Sequence, residues 1–214
     1  MPRAAVILAG ETGPNVTPMA LPGPLLPVGD TAIVDIVLRQ LRDTGIDEVI
    51  ITAGRLAPLL RAVLRDGSGH GVRIRYLDDG QRVDGLVDTF LLMHGDALTD
   101  LDYARLIAVH REAGDILTIA TAERELPTDF GIVDLDGPGS VSGYHVKPIL
   151  RHRVDMGVYA VEPAALAYAK PGAGGVALVR ALLDGGEPVG AYAHDGYWLD
   201  LGRRDDFELA QRAA

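Results

Sequence analysis

Two acidic residues at the ends of apolar segments are the clearest candidates for chemistry in this sequence. Asp96 ends a His-Gly-Asp motif that follows the apolar run 89–93, and Asp200 lies in a Trp-Leu-Asp-Leu-Gly motif at 198–202. Carboxylates on a rigid scaffold are the hard oxygen ligands that Mg²⁺ prefers. We therefore expect Asp96 and Asp200 to bind Mg²⁺ or Mn²⁺. A structural role is the alternative for each, since Asp often caps a turn or a helix.

A glycine-containing loop leaves the first apolar strand and is a candidate phosphate site. It reads Gly-Glu-Thr-Gly at 10–13 and is followed by Pro14. Glycines allow backbone amides to approach phosphates closely. Glu11 places a negative charge beside that position, and Pro14 removes one backbone N–H. The alternative is a plain turn at the end of the strand, without a ligand.

Alternating strands and helices must position these candidates. Apolar runs predict strands at 5–8, 49–52, 72–76, 89–94, 116–121 and 156–161, with an extended segment at 189–198. Helical spacing predicts helices around 33–41, 58–64, 103–110, 163–169 and 204–212. A turn at 136–139 predicts a hairpin between 131–135 and 141–146.

This order of elements predicts an α/β protein. The first half follows a βαβ pattern and the second half is more antiparallel, which favours a three-layer α/β/α sandwich over a mostly parallel, Rossmann-like mixed sheet. We find no linker, so residues 1–214 are expected to form a single domain. Ligands of such sheets collect at the carboxyl ends of the strands. Gly10, Asp96 and Asp200 are therefore expected to converge on one face.

The opening of the chain resembles the sugar-1-phosphate nucleotidylyltransferases. That family reads roughly L-A-G-G-x-G-T-R-L and then P-K-P-L-L-P-V-G, and this chain has Leu-Ala-Gly-Glu-Thr-Gly at 8–13 and Pro-Leu-Leu-Pro-Val-Gly at 24–29. Asn15 stands where the family has Arg, and Gly23 where it has Lys. The resemblance implies a nucleotide-diphospho-sugar transferase-like fold. It also implies transfer of NMP from an NTP to a phosphorylated, sugar-phosphate-like acceptor, with Mg²⁺-assisted release of pyrophosphate.

The resemblance also assigns roles to individual residues. Lys147 matches the family's lysine on the sugar phosphate, and the metal carboxylates are again Asp96 and Asp200. The residues implied to contact the nucleotide are Leu8, Ala9, Gly10, Glu11, Gly13, Asn15, Gln81 and Gly85. Those implied to contact the acceptor are Val146, Asp155 and Gly157. Two of these acceptor residues depart from the family, because Val146 replaces a Glu and Asp155 replaces an Asn. The family's base-reading segment corresponds to 77–86, and the connection from Gly80 to Gly95 is shortened relative to the family.

Composition and charge narrow the class of partner. The formal net charge is −10, and no basic stripe is visible for nucleic acid. An acidic surface also repels acidic lipid, and no apolar run reaches the roughly 18 residues that span a bilayer. The N-terminus lacks the pattern of a signal peptide, and the chain has no cysteine. Both observations predict a cytoplasmic protein.

Two function classes follow from the sequence. The first is a divergent nucleotidyltransferase with Asp96 and Asp200 on the metal, whose partners are an NTP and a phosphorylated acceptor. The second is an inactive relative that binds nucleotide or nucleotide-sugar and regulates a partner, either in a homo-oligomer or with an active paralogue. The retained carboxylates favour the first class. The replacements at Asn15 and Gly23, together with the charge of Glu11, favour the second.

Overall fold

The structure is a computed structural model that describes residues 4–9, 21, 23–54, 57–78, 81–170, 172 and 174–213. Its described strands are β1 (Ala4–Leu8), β2 (Pro27–Val28), β3 (Thr31–Ala32), β4 (Glu48–Thr52), β5 (Arg73–Leu77), β6 (Phe90–His94), β7 (Ala97–Thr99), β8 (Leu117–Pro127), β9 (Ile132–Leu135), β10 (Val141–His145), β11 (Ile149–Val161), β12 (Val189–His194) and β13 (Trp198–Asp200). The described α-helices are α1 (Ile33–Asp43), α2 (Ala57–Leu64), α3 (Tyr103–Ala113), α4 (Gly175–Asp184) and α5 (Arg204–Ala213). Short 3₁₀ turns occupy Gly23–Leu25, Ser68–His70 and Pro163–Ala167.

Seven of the described strands form the central sheet, in the order β12-β8-β11-β6-β1-β4-β5. The strands β6, β1, β4 and β5 run parallel to one another, and β11 is antiparallel to both of its neighbours. After β1, the next strands of the central sheet, β4 and β5, lie on one side of β1, and the following strand, β6, lies on the other side. The strand order therefore reverses at β1 and β6, which is where open α/β sheets bind ligands.

Helices cover both faces of this sheet. Along β1, Ala5 and Ile7 pack into one core with α1, α2, α3 and α5. Ala4 and Val6 pack into a second core with α4 and the turn at Pro163–Ala167. Successive residues of a strand point to opposite faces, so an all-apolar strand such as β1 must be covered on both sides. The predicted three-layer α/β/α sandwich with a mixed sheet is confirmed.

The second half departs from the predicted lengths. β8 and β11 were predicted to span 116–121 and 156–161, but they pair from Ile149 with Pro127 to Val161 with Leu117. Their outer part, with the β9–β10 hairpin, forms an arm over residues 123–153. This region was difficult to predict because the outer parts of both strands are rich in charged residues and lack the apolar pattern. Helix α4 was not predicted, because the glycine-rich run 172–175 in front of it favours a loop.

No helix in the described part of the chain is both long enough and apolar enough to cross a membrane.

Candidate active site at the carboxyl edge of the sheet

The backbones of Asp96 and Asp200 are neighbours in the structure. The short strands β7 and β13 pair antiparallel, with Asp200 opposite Ala97. The backbone N–H of Leu201 donates to the carbonyl of Asp96 over 3.0 Å. Asp96 lies two residues beyond the end of β6, at the reversal point of the sheet. The two predicted metal ligands, separated by about a hundred residues of chain, are thus brought to one edge.

Asp200 is held by its own turn and by a charged pair behind it. Its Oδ1 accepts the N–H of Gly202 over 3.0 Å, and its own N–H donates to Oδ2 of Asp206 over 2.9 Å. Its Oδ2 accepts no hydrogen bond from any described residue. Asp200 does not cap α5, and one carboxylate oxygen is left for a ligand.

Asp206 and Arg124 form a largely buried pair that fixes β13. The guanidinium of Arg124 binds both carboxylate oxygens of Asp206, at 2.5 and 3.2 Å, and also donates to the carbonyl of Trp198 over 3.3 Å. Its Cζ lies 4.5 Å from the centroid of the Trp198 ring. The carboxylate of Asp206 is only 8% exposed. The sequence carries no local signal for this pair, because an Asp in the first turn of a helix is ordinarily a surface residue.

Gly23 lies against the carboxylate of Asp96. A Cβ built on Gly23 would lie 3.0 Å from Oδ2 of Asp96 and 3.1 Å from its Cβ. Gly23 is buried, and the neighbouring ring of Pro24 packs on Gly95. The Pro-rich segment therefore crosses the end of β6, and the position where the family carries Lys adjoins a candidate metal ligand.

The strand end of β1 borders the same edge. The carbonyl of Leu8 accepts the N–H of Gly95 over 3.1 Å, and the N–H of Ala9 donates to the carbonyl of Thr52 over 2.7 Å. Ala9 is buried. The remaining predicted residues of the phosphate loop, Gly10, Glu11, Gly13 and Asn15, lie outside the described residues, so their assignments stay predictions.

Two of the residues predicted to contact the acceptor, Asp155 and Gly157, lie in a bulge of β11. The register shifts between Asp155 and Tyr159, and Gly157 inside the bulge has φ +70°. Oδ1 of Asp155 accepts the N–H of Gly157 and Oδ2 accepts the hydroxyl of Tyr159, both over 2.7 Å. A carboxylate can accept both donors, whereas an Asn has only one acceptor atom. The replacement of the family's Asn by Asp155 thus completes this turn. Bulges of this kind commonly re-aim side chains beside active sites.

Val146 and Lys147 lie on the arm, away from this turn. Both are exposed, and Lys147 has φ +45° in the bend after β10. Six steps along β11 separate Ile149 from Asp155, about 20 Å in an extended strand. Within the described residues, no hydrogen bond or ion pair joins Lys147 to Asp96 or Asp200. The structure places these two predicted residues on a different element from the carboxylates.

Gln81 and Gly85 lie in an irregular segment beside the second core. Asp78 donates its N–H to the side-chain oxygen of Gln81 over 2.9 Å, so part of this amide already closes a turn. Gly85 has φ +76°, with open space where a side chain would be. Their roles in reading a base stay predictions.

His94 was not predicted as a site residue, although it precedes Gly95 and Asp96. Its Nε2 atom is buried and has no hydrogen-bond partner in the described structure. The sequence signal was its position at a strand end, but a single His there is more often part of the core.

Comparisons with known proteins identify the family. The family model for nucleotidyl transferases matches residues 4–90 and 78–214. A UTP–glucose-1-phosphate uridylyltransferase of Synechocystis is 32% identical, covering 97% of this chain and 62% of that protein. A mannose-1-phosphate guanylyltransferase of Mycobacterium tuberculosis is 26% identical, covering 95% and 62%. The chain thus spans about 62% of the length of these curated relatives.

The fold has a counterpart among solved structures. HddC from Yersinia pseudotuberculosis superposes with a TM-score of 0.75 at 17% identity, and the match covers 99% of each chain. At this identity the likeness concerns the fold alone. Together with the family model, which matches most of the chain, it confirms the resemblance stated from the motifs: the chain belongs to the nucleotidyl transferase family, which its sugar-1-phosphate nucleotidylyltransferase relatives share.

Proposed function

We propose that the chain transfers a nucleotidyl group from an NTP to a phosphorylated, sugar-phosphate-like acceptor, releasing pyrophosphate. The observation that carries the proposal is the pairing of β7 with β13, which brings Asp96 and Asp200 together at the point where the strand order reverses. Relatives that are named for UTP and glucose 1-phosphate or for mannose 1-phosphate support the class of substrates.

The residues fit a divalent cation of the Mg²⁺ type. In the described part of the chain, no cluster of three or more His, Cys, Asp or Glu side chains forms a complete cage. Mg²⁺ does not require one, because it is usually held by one or two carboxylates together with substrate phosphates and water. Asp96 and Asp200 would hold it, and Oδ2 of Asp200 accepts no hydrogen bond in the described structure. When bound, the ion would neutralise charge that develops on the phosphates.

The protein's own contribution is to position the substrates. Nucleotidyl transfer depends mainly on alignment and charge stabilisation. The bulge of β11 would shape the acceptor side, and the end of β1 would face the nucleotide. Gly23, in contact with Asp96, supplies no cation. We therefore expect turnover below the ordinary range of about 1–10³ s⁻¹.

Gly23 also favours a second candidate function. A protein that keeps its two carboxylates but has no Lys beside them can bind nucleotide or nucleotide-sugar without chemistry. It would then act as a regulatory or interaction partner, in a homo-oligomer or with an active paralogue. The two functions differ in one measurable product, pyrophosphate.

The test combines binding with product release. Calorimetric titration with each NTP in the presence of Mg²⁺ is followed by a pyrophosphate-release assay with glucose 1-phosphate and mannose 1-phosphate. Asp96→Asn and Asp200→Asn are each expected to lower Mg²⁺-dependent release by about 10²–10³-fold, the range for loss of one preorganised electrostatic contact. Asp43→Asn is the matched control, because this carboxylate is 62% exposed at the end of α1.

Three results are informative. Loss in both site variants with an unchanged control supports the transferase. NTP binding without pyrophosphate release from the parent supports the inactive relative. Equal release from the parent and from both site variants contradicts the proposed metal ligands.

A further inference from the structure

His94 lies between the two predicted substrate sides. Its Cα pairs with Leu8 at the end of β1, and the preceding Met93 pairs with Val158 of β11. His94 therefore lies between β1, whose end is predicted to contact the nucleotide, and β11, which carries the predicted acceptor residues. It also lies two residues before a candidate metal ligand, Asp96.

The imidazole ring packs on the acceptor turn. A Cβ built on Gly157 would lie 3.0 Å from Cγ and 3.1 Å from Nδ1 of His94, so a side chain at this position would crowd the ring. The ring centroids of His94 and Tyr159 are 6.5 Å apart. Tyr159 and Gly157 both donate to Asp155, so the ring borders a turn whose own polar groups already bind one another.

The buried Nε2 of His94 is without a partner in the described structure. An imidazole nitrogen is either a donor or an acceptor, and burying it without a hydrogen bond is unfavourable. Native structures pair nearly all such groups, and each exception calls for an explanation. A Leu or Phe would fill this position without that cost. A ligand that supplies the missing partner explains why a His stands here.

We propose that Nε2 of His94 hydrogen-bonds an oxygen of the bound phosphorylated acceptor and so contributes to acceptor recognition. The contacts of the ring are to the bulge of β11, which favours the acceptor over the nucleotide. The proposal rests on the proposed function, since it requires an acceptor of that class. It also supplies a polar contact near the sheet, whereas Val146 and Lys147 lie on the arm.

Kinetics give the first part of the test. In His94→Leu, KM for glucose 1-phosphate or mannose 1-phosphate is expected to rise about 10- to 100-fold, while KM for the NTP stays within about twofold. That is the size expected for one lost hydrogen bond to a charged group. His94→Gln retains a side-chain amide donor and is expected to recover part of the loss. Asp43→Asn serves again as the control.

Spectroscopy gives a readout that does not depend on turnover. In ¹⁵N-histidine-labelled protein, the Nε2 resonance of His94 is expected to shift when glucose 1-phosphate or mannose 1-phosphate is added. His110 is the internal reference, because both of its ring nitrogens already have partners. A shift at His94 alone supports the proposal.

Two outcomes overturn it, and they are distinguishable. If calorimetry detects an acceptor while the His94 resonance and the acceptor KM of His94→Leu are unchanged, His94 has no role in recognition. If the parent binds neither sugar phosphate with any NTP and Mg²⁺, the proposed function itself fails, and this inference fails with it.

Discussion

His110 lies at the amino-terminal edge of the central sheet and His94 at its carboxyl edge, and in the described structure the ring nitrogens of the two differ in their hydrogen bonds. At the amino-terminal edge, Nδ1 of His110 lies 2.8 Å from the hydroxyl of Thr118, and Nε2 lies 3.2 Å from the carboxylate of Glu162. Thr89 also donates to Glu162 over 2.6 Å. At the carboxyl edge, Nε2 of His94 is buried and has no partner among the described residues. We interpret His110, whose ring nitrogens both have partners, as structural. We interpret the unpartnered Nε2 of His94 as an atom that contacts a ligand.

The same contrast separates the carboxylates. Asp206 is buried and uses both oxygens on Arg124, whereas Asp200, six residues earlier, uses only Oδ1 within the described structure. Buried polar groups that remain in a fold without a partner carry a cost, and sites of function are where such costs persist. The closed contacts of His110 and Asp206 therefore stabilise the fold, and the open atoms of His94 and Asp200 are where ligands are expected.

The largest effect is expected from breaking the support behind Asp200. Asp206→Ala leaves the guanidinium of Arg124 without its carboxylate and removes the acceptor for the N–H of Asp200. Loss of one partner of a buried pair typically costs about 3–5 kcal/mol. Arg124 is 28% exposed, so we expect the lower end, about 3 kcal/mol, in the free energy of unfolding by urea.

The control for this change is an exposed pair on the arm. Arg151 and Glu125 are 67% and 53% exposed, and Glu125→Ala should cost below about 1 kcal/mol. An equal, small loss in both variants would show that Asp206 does not support β13.

The fold was predictable from sequence because its apolar strands are short and continuous. The β1, β4 and β6 runs are short, continuous and apolar, which is typical of strands buried on both faces. The position of Asp96 followed from the same rule, since parallel strands share their carboxyl ends. Asp200 lies outside the central sheet, on β13, and reaches the same edge through the pairing of β13 with β7.

Side-chain contacts between residues that are far apart in the chain could not be predicted from the sequence. Arg124 meets Asp206 across 82 residues of chain, and neither residue carries a local pattern. Whether a strand-end His such as His94 is paired depends on which elements surround it, and this is decided by packing. The outer parts of β8 and β11 were missed for a related reason, since their charged side chains are exposed and the strands are fixed by mutual pairing.

A smaller effect is expected on acidification, from the amino-terminal edge. Burial lowers the pKa of His110 in the folded protein from its ordinary value of 6.5, more than Glu162 raises it. As the pH falls below about 6.5, the unfolded chain therefore binds a proton that the folded chain resists, and stability decreases. The contribution is fully present above that pH and is lost in the range between 6.5 and the lower folded pKa.

The free energy of unfolding by urea, measured at pH 8 and at pH 5.5, gives the size of this pH dependence. His110→Gln cannot titrate in that range, so the difference in stability between the two pH values should shrink relative to the parent. His152→Gln on the exposed arm should leave it unchanged. A parent-like difference in His110→Gln would assign the pH dependence to other groups.

Replacing each of the two histidines by Leu is expected to change stability in opposite directions, and this sign distinguishes the two edges. Leu replaces a ring of comparable bulk and has no polar atoms. At His110 this change leaves the buried hydroxyl of Thr118 without its close partner, so His110→Leu should destabilise the protein by about 1–3 kcal/mol. At His94 the same change removes an unpaired nitrogen, so His94→Leu should raise the free energy of unfolding by about 1 kcal/mol. Stabilisation with loss of acceptor binding is the pattern expected where a fold retains an unfavourable group for function. If His94→Leu destabilises the protein as much as His110→Leu does, the two edges are alike, and His94 is a core residue.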